Sequence, residues 1–112
     1  MTKTITHDEA ITLVASHLEN EGYTVFTNPN SQKENRIKDC YPDVIACNSK
    51  QEAELIVEVE TTDSVNSRET NQWKEYSKTG VPFALCVPKE IMDKAKSLCK
   101  EYNINLFRLF HY

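Results

Sequence analysis

Two apolar runs, Asp43-Val-Ile-Ala-Cys47 and Ala53-Glu-Leu-Ile-Val-Glu-Val-Glu60, constrain the chain more than any other feature, because carboxylates stand where a sheet disfavours charge. Short apolar runs bounded by turn residues read as strands, and Asn48-Ser-Lys-Gln51 between these two makes them a hairpin. Side chains two apart on a strand share a face, so Glu58 and Glu60 stand side by side while Val57 and Val59 enter the core behind them. Asp43 opens the neighbouring strand. From Gln51 to Ser67 the chain carries five acids (Glu52, Glu54, Glu58, Glu60, Asp63) and no Lys or Arg, so no local cation offsets their repulsion. A hard divalent cation is the natural counter-charge.

The rest of the sequence supplies the frame. Thr6-His-Asp-Glu9 reads as a capping box that starts a helix over 7–21, with the stripe Ala10, Ile11, Leu13, Val14 and Leu18, and Gly22 ends it. Tyr23 to Thr27 alternates as a first strand. Residues 28–40 are polar, an exposed loop whose basic cluster is Lys33, Arg36 and Lys38; it reads either as a solvated loop or as one that touches phosphate. After the hairpin and a polar connection over 61–67, a helix over 67–79 carries Trp73 and Tyr76 and stops at Gly80. Pro82 to Val87 has the continuous apolar character of a strand buried on both faces, as in parallel sheets. Pro88 opens a helix with the stripe Ile91, Ala95, Leu98 and Tyr102, and 103–110 alternates as the last strand. The order α-β-β-β-α-β-α-β predicts one α/β domain over 1–112, a central mixed sheet flanked by helices.

Length and charge narrow the function. With 112 residues the chain builds one core, and 39% hydrophobic with 27% charged residues describes a soluble globular protein. No apolar run approaches the roughly 18 residues of a membrane span, and the N-terminus lacks the apolar segment of a signal peptide, so the expected location is the cytoplasm. A formal charge of −4 argues against non-specific coating of nucleic acid, and leaves room for a basic rim around an acidic centre. Cys40, Cys47, Cys86 and Cys99 lack C-x-x-C spacing and read as free thiols.

The chemistry follows from the acids. Asp43 and Glu58 on adjacent strands converge at a sheet edge, and Mg²⁺ takes one or two carboxylates together with waters and substrate phosphate oxygens. Glu60 adds a third carboxylate. Such a site polarises a phosphodiester and lowers the pKa of a bound water.

Pro42-Asp43, a gap, then Glu58-Val59-Glu60 resembles the PD-(D/E)XK nuclease motif, and the resemblance extends over essentially the whole chain. The layout is similar to small Holliday junction resolvases and RecB-type nuclease domains, and Gln72-Trp-Lys-Glu-Tyr76 is similar to the Q-x-x-x-Y signature of the latter. The resemblance implies a restriction endonuclease-like fold and a Mg²⁺- or Mn²⁺-dependent DNA endonuclease. It implies metal binding by Asp43 and Glu58, with Glu60 as a third ligand or water-orienting base, and Gln72 and Tyr76 directed at the site; the basic loop residues Lys33, Arg36 and Lys38 are, from their charge alone, the expected substrate contacts.

The sequence departs from that pattern at two places. Glu60 stands where the motif has lysine, which leaves Lys74 or Lys78 on the following helix as a displaced cation. Ile11 occupies the first-helix position where many members carry a metal-binding acid, and Glu9 is better explained by the capping box. These departures leave an alternative, a catalytically degenerate module of the same fold that binds nucleic acid or a protein. A chain this small has little surface for gripping a duplex, which predicts a homodimer or a larger complex. His7 reads as an exposed neighbour of the cap, and Trp73 as a core or interface aromatic rather than a base-stacking platform.

Overall fold

In the computed structural model, which describes residues 5–112 and Ser31 by its backbone alone, Thr6 fixes where the first helix begins. Its hydroxyl accepts the Glu9 N–H and the Glu9 carboxylate accepts the Thr6 N–H, both at 3.1 Å, which completes the capping box. Helix α1 (His7–Asn20) runs until Gly22, whose φ of 104° a residue with a Cβ adopts only under strain. The first four residues, on which the reading of the N-terminus as leaderless partly rests, lie outside the described residues.

Strands β1 (Thr24–Thr27), β2 (Val44–Cys47) and β3 (Ala53–Val59) follow as an antiparallel meander. Helix α2 (Thr70–Ser77) then crosses to β4 (Phe83–Val87), and α3 (Met92–Glu101) crosses to β5 (Arg108–His111), so that β3, β4 and β5 are parallel. The sheet order is β1-β2-β3-β4-β5. The expected mixed five-stranded α/β architecture is therefore present. Among the described residues no helix is long and apolar enough to cross a membrane.

The alternation of the strands divides the core in two. Val44, Ala46, Leu55, Val57, Val59, Ala84 and Cys86 face one side and pack against Ala10, Ile11, Val14 and Leu18 of α1. Ile45, Ile56, Phe83, Leu85 and Val87 face the other and pack against Trp73 and Tyr76 of α2 and Ala95 and Cys99 of α3. Each large apolar side chain buried this way contributes roughly 1.5–3 kcal/mol relative to exposure. Ile11, 2% exposed, has an apolar role in the first of these cores. Cys47, Cys86 and Cys99 are buried free thiols, and burial pushes Cys86 up to about 12 and Cys99 up to about 11.

Three boundaries depart from the sequence expectation for local reasons. Helix α2 begins at Thr70 rather than 67, because Asn66 Oδ1 accepts the Arg68 and Glu69 N–H groups and holds a turn there. Helix α3 is preceded by a 3₁₀ turn over Lys89–Ile91. Strand β5 begins at Arg108 rather than 103, because Asn103 adopts a left-handed φ of 55° and Ile104 returns its N–H to the Cys99 carbonyl at 2.9 Å, closing α3. At the other end of α1, Glu21 takes a two-pronged contact from Arg108 at 3.2 Å and tethers the helix to β5.

Candidate functional site

The β2–β3 ladder ends at Val44 opposite Val57, and the pairing continues one step further through side chains. Asp43 donates its backbone N–H to Glu58 Oε1 at 3.0 Å, and Val59 donates its N–H to Asp43 Oδ2 at 2.8 Å. Each carboxylate thus closes the backbone of the opposite strand, which fixes both side chains at the carboxyl end of β3. Ligands in sheets with parallel strands bind at that end.

A third contact comes from far away in sequence. His7, the first residue of α1, brings Nε2 to 3.1 Å from Asp43 Oδ2, so that Asp43 lies between an imidazole and a backbone N–H. The hydrogen bond to Asp43 raises the His7 pKa to about 9 against the opposing effect of burial. Sequence alone assigns His7 to an exposed cap; only the packing of α1 across the sheet joins position 7 to position 43.

Glu58 is 5% exposed, and its carboxyl is pushed well above the usual range, first by burial and then by repulsion from Asp43 and Glu60. Glu60, 4% exposed, lies on the same face but turns beneath α2, where Trp73 Nε1 donates to its Oε1 at 3.1 Å. Burial raises Glu60 to about 7, while hydrogen bonds from Ser64 and Trp73 hold it down. Its backbone carbonyl also accepts the Tyr112 hydroxyl at 2.7 Å. Trp73 is fully buried, in keeping with a core aromatic.

Asp43 and Glu58 line a cavity of about 340 Å³ that Gln72 and Tyr76 of α2 also line. These two, one helical turn apart, are joined by a 3.0 Å hydrogen bond from Gln72 Nε2 to the Tyr76 hydroxyl. Lys33, Asp39, Tyr41 and Glu75 also line it, with Asn28, Gln32 and Cys40. The cavity therefore gathers Asp43, Glu58, Gln72, Tyr76 and Lys33 from the residues singled out by sequence. Glu60, Lys74, Arg36 and Lys38 do not line it. Lys74 is exposed on α2, and Arg36 lines a separate depression with Phe26 and Ile45. Lys38 directs Nζ toward Gly80, about 4.0 Å from where a Cβ would stand.

Asn28, which sequence reasoning passes over as a loop residue, organises the β1–β2 connection. It is 2% exposed; its Oδ1 accepts the Glu34 and Asn35 N–H groups at 3.2 and 2.8 Å, and its Nδ2 donates to the Asn35 and Pro42 carbonyls at 2.7 Å. Four bonds to one amide pin a segment whose composition reads as a solvated loop. Asn28→Ala leaves those groups without their partner and is expected to cost about 1–3 kcal/mol in urea unfolding, with faster hydrogen exchange at the Glu34 and Asn35 amides.

Among the described residues, no group of three or more His, Cys, Asp or Glu side chains converges on one point. The pair Asp43 and Glu58 nevertheless matches the donors Mg²⁺ uses, one or two carboxylates with the remaining positions left to water and phosphate. A buried carboxylate beside another carboxylate is relieved by a proton or by a cation, and Glu58 is such a group. Compared with protein-family models, with curated proteins and with solved structures, the chain gives no significant match to any of them.

Proposed function

We propose that the cavity is the site of divalent cation-dependent phosphodiester hydrolysis in DNA, on a domain of restriction endonuclease-like type. The observation that carries this reading is the reciprocal pairing of Asp43 and Glu58 at the mouth of a cavity, with Glu58 buried against its own charge. Asp43 and Glu58 hold Mg²⁺ or Mn²⁺. When bound there, the cation polarises the phosphodiester and makes a water molecule more acidic.

The protein groups do the rest. His7 and the Val59 N–H fix the Asp43 carboxylate in one orientation. Gln72 and Tyr76, which line the same cavity, supply an amide and a hydroxyl that orient substrate or water. The Tyr76 hydroxyl keeps its proton, because burial and the nearby Glu58 push its pKa upward, so it acts as a hydrogen-bond donor. In the reaction the water oxygen forms a bond to phosphorus as the bond from phosphorus to the sugar oxygen breaks. The water gives up a proton, the departing oxygen takes one, and one water is consumed.

One observation favours a second reading. Glu60 is engaged by Trp73 rather than by the cavity, which suits a nucleic acid-binding module in which the carboxylate pair binds a cation without cleavage. Incubating the protein with branched, duplex and single-stranded DNA in Mg²⁺ or Mn²⁺ decides between them. Cation-dependent cleavage that Asp43→Ala abolishes is the expected result; binding of DNA without cleavage of any form selects the module.

A further inference from the structure

We infer that Lys33, which reaches the cavity from the β1–β2 connection, is the cationic side chain that receives the substrate phosphate. This rests on the reading of the cavity as a phosphodiester site. Asp39, Asp43, Glu58 and Glu75 all line the cavity, and a divalent cation on Asp43 and Glu58 neutralises only that pair. A phosphodiester entering past Asp39 and Glu75 needs a further positive charge. Among the described residues, Lys33 is the only Lys or Arg lining the cavity.

The way Lys33 is held suits this role. The backbone around it is fixed by the four hydrogen bonds of Asn28, whose amide ties the loop to the Pro42 carbonyl next to Asp43. Its side chain is exposed, and Nζ lies 5.8 Å from the centre of the Tyr41 ring, near the outer limit of cation–π attraction. At an exposed site such a contact is worth about 0.5–1 kcal/mol. A phosphate oxygen with full negative charge competes with it readily, so the contact with Tyr41 leaves the ammonium available to a phosphate in the cavity. Arg36 and Lys38, the other cations of the loop, are directed elsewhere. Loop charge is therefore not interchangeable, and position 33 alone serves the cavity.

The test measures cleavage and binding by the full chain, the latter as anisotropy of a labelled oligonucleotide across a salt series. Lys33→Ala is expected to weaken DNA binding about tenfold and to lower the slope of log affinity against log salt by about one phosphate contact. Lys33→Arg restores both, and Arg36→Ala and Lys38→Ala stay within about twofold of the wild type. A changed salt slope with an unchanged melting temperature separates a phosphate contact from a structural role. If the wild type cleaves and Lys33→Ala binds and cleaves as well as it does, or if Arg36→Ala or Lys38→Ala matches the loss, the assignment of Lys33 is overturned and the site reading stands. If the wild type neither binds nor cleaves DNA, the site reading fails and Lys33 with it.

Discussion

Raising the pH from 5 to 8 in the presence of a chelator is expected to cost the folded protein about 2–3 kcal/mol from Glu60 alone. Burial lifts the Glu60 carboxyl from its ordinary 4.5 to about 7, so the folded state holds a proton that the unfolded chain has already released. The stability this group lends is fully present below about pH 4.5 and is lost as the pH climbs through 7. Glu58, raised well above the same ordinary value, acts in the same direction. His7, raised from 6.5 to about 9, is half exposed and adds a smaller loss of the same sign, complete only above pH 9. Glu21 is shifted the opposite way by Arg108, and its effect falls below pH 4.5, outside this window. Urea unfolding at pH 5 and pH 8 measures the difference. Millimolar Mg²⁺ at pH 8 is expected to recover part of the loss, since a ligand of the folded state alone stabilises by mass action. Equal stability at the two pH values would remove the buried charge from the account.

Glu58→Gln is expected to move stability and activity in opposite directions. Glutamine keeps a carbonyl oxygen to accept the Asp43 N–H, and it removes a buried charge that repels Asp43 and Glu60. The cation-free protein at pH 8 therefore gains about 1–3 kcal/mol, the scale of relieving one poorly compensated buried group. The same change removes half of the carboxylate pair. Cleavage falls by on the order of 10²–10³-fold, comparable to losing one electrostatic contact to a transition state. A variant that is more stable and less active identifies Glu58 as a group kept for function at a cost to the fold. A variant that is destabilised shows that its negative charge holds the strands together.

The features legible in the sequence are those that depend on local spacing. The capping box at Thr6 and Glu9, the apolar stripe of α1 and the acids of the β2–β3 hairpin each repeat with the period of one element, and each appears where that period puts it. Asp43 and Glu58 meet because adjacent strands in antiparallel register bring them together. Glu60 shares the face of Glu58 as the period requires, but periodicity says nothing of Trp73 thirteen positions later, whose indole draws the carboxylate under α2. His7 and Asn28 escape sequence reasoning for a related cause. One reaches Asp43 only through the docking of a helix, and the other serves partners chosen by the path of a loop. The basic loop shows the same limit, since Lys33, Arg36 and Lys38 look equivalent in sequence and end in three different surroundings.

The central claim is that Asp43 and Glu58 form a cation site, and calorimetric titration of Mn²⁺ into the chelator-treated protein at pH 7.5 tests it most directly. The wild type is expected to bind at one saturable site per chain, more tightly as the pH rises because the cation and a proton compete for the Glu58 carboxyl, whose proton affinity burial and its acidic neighbours raise. No such site is expected in either Asp43→Ala or Glu58→Gln. Saturable binding that survives unchanged in both variants, or its absence from a folded wild type, would contradict it.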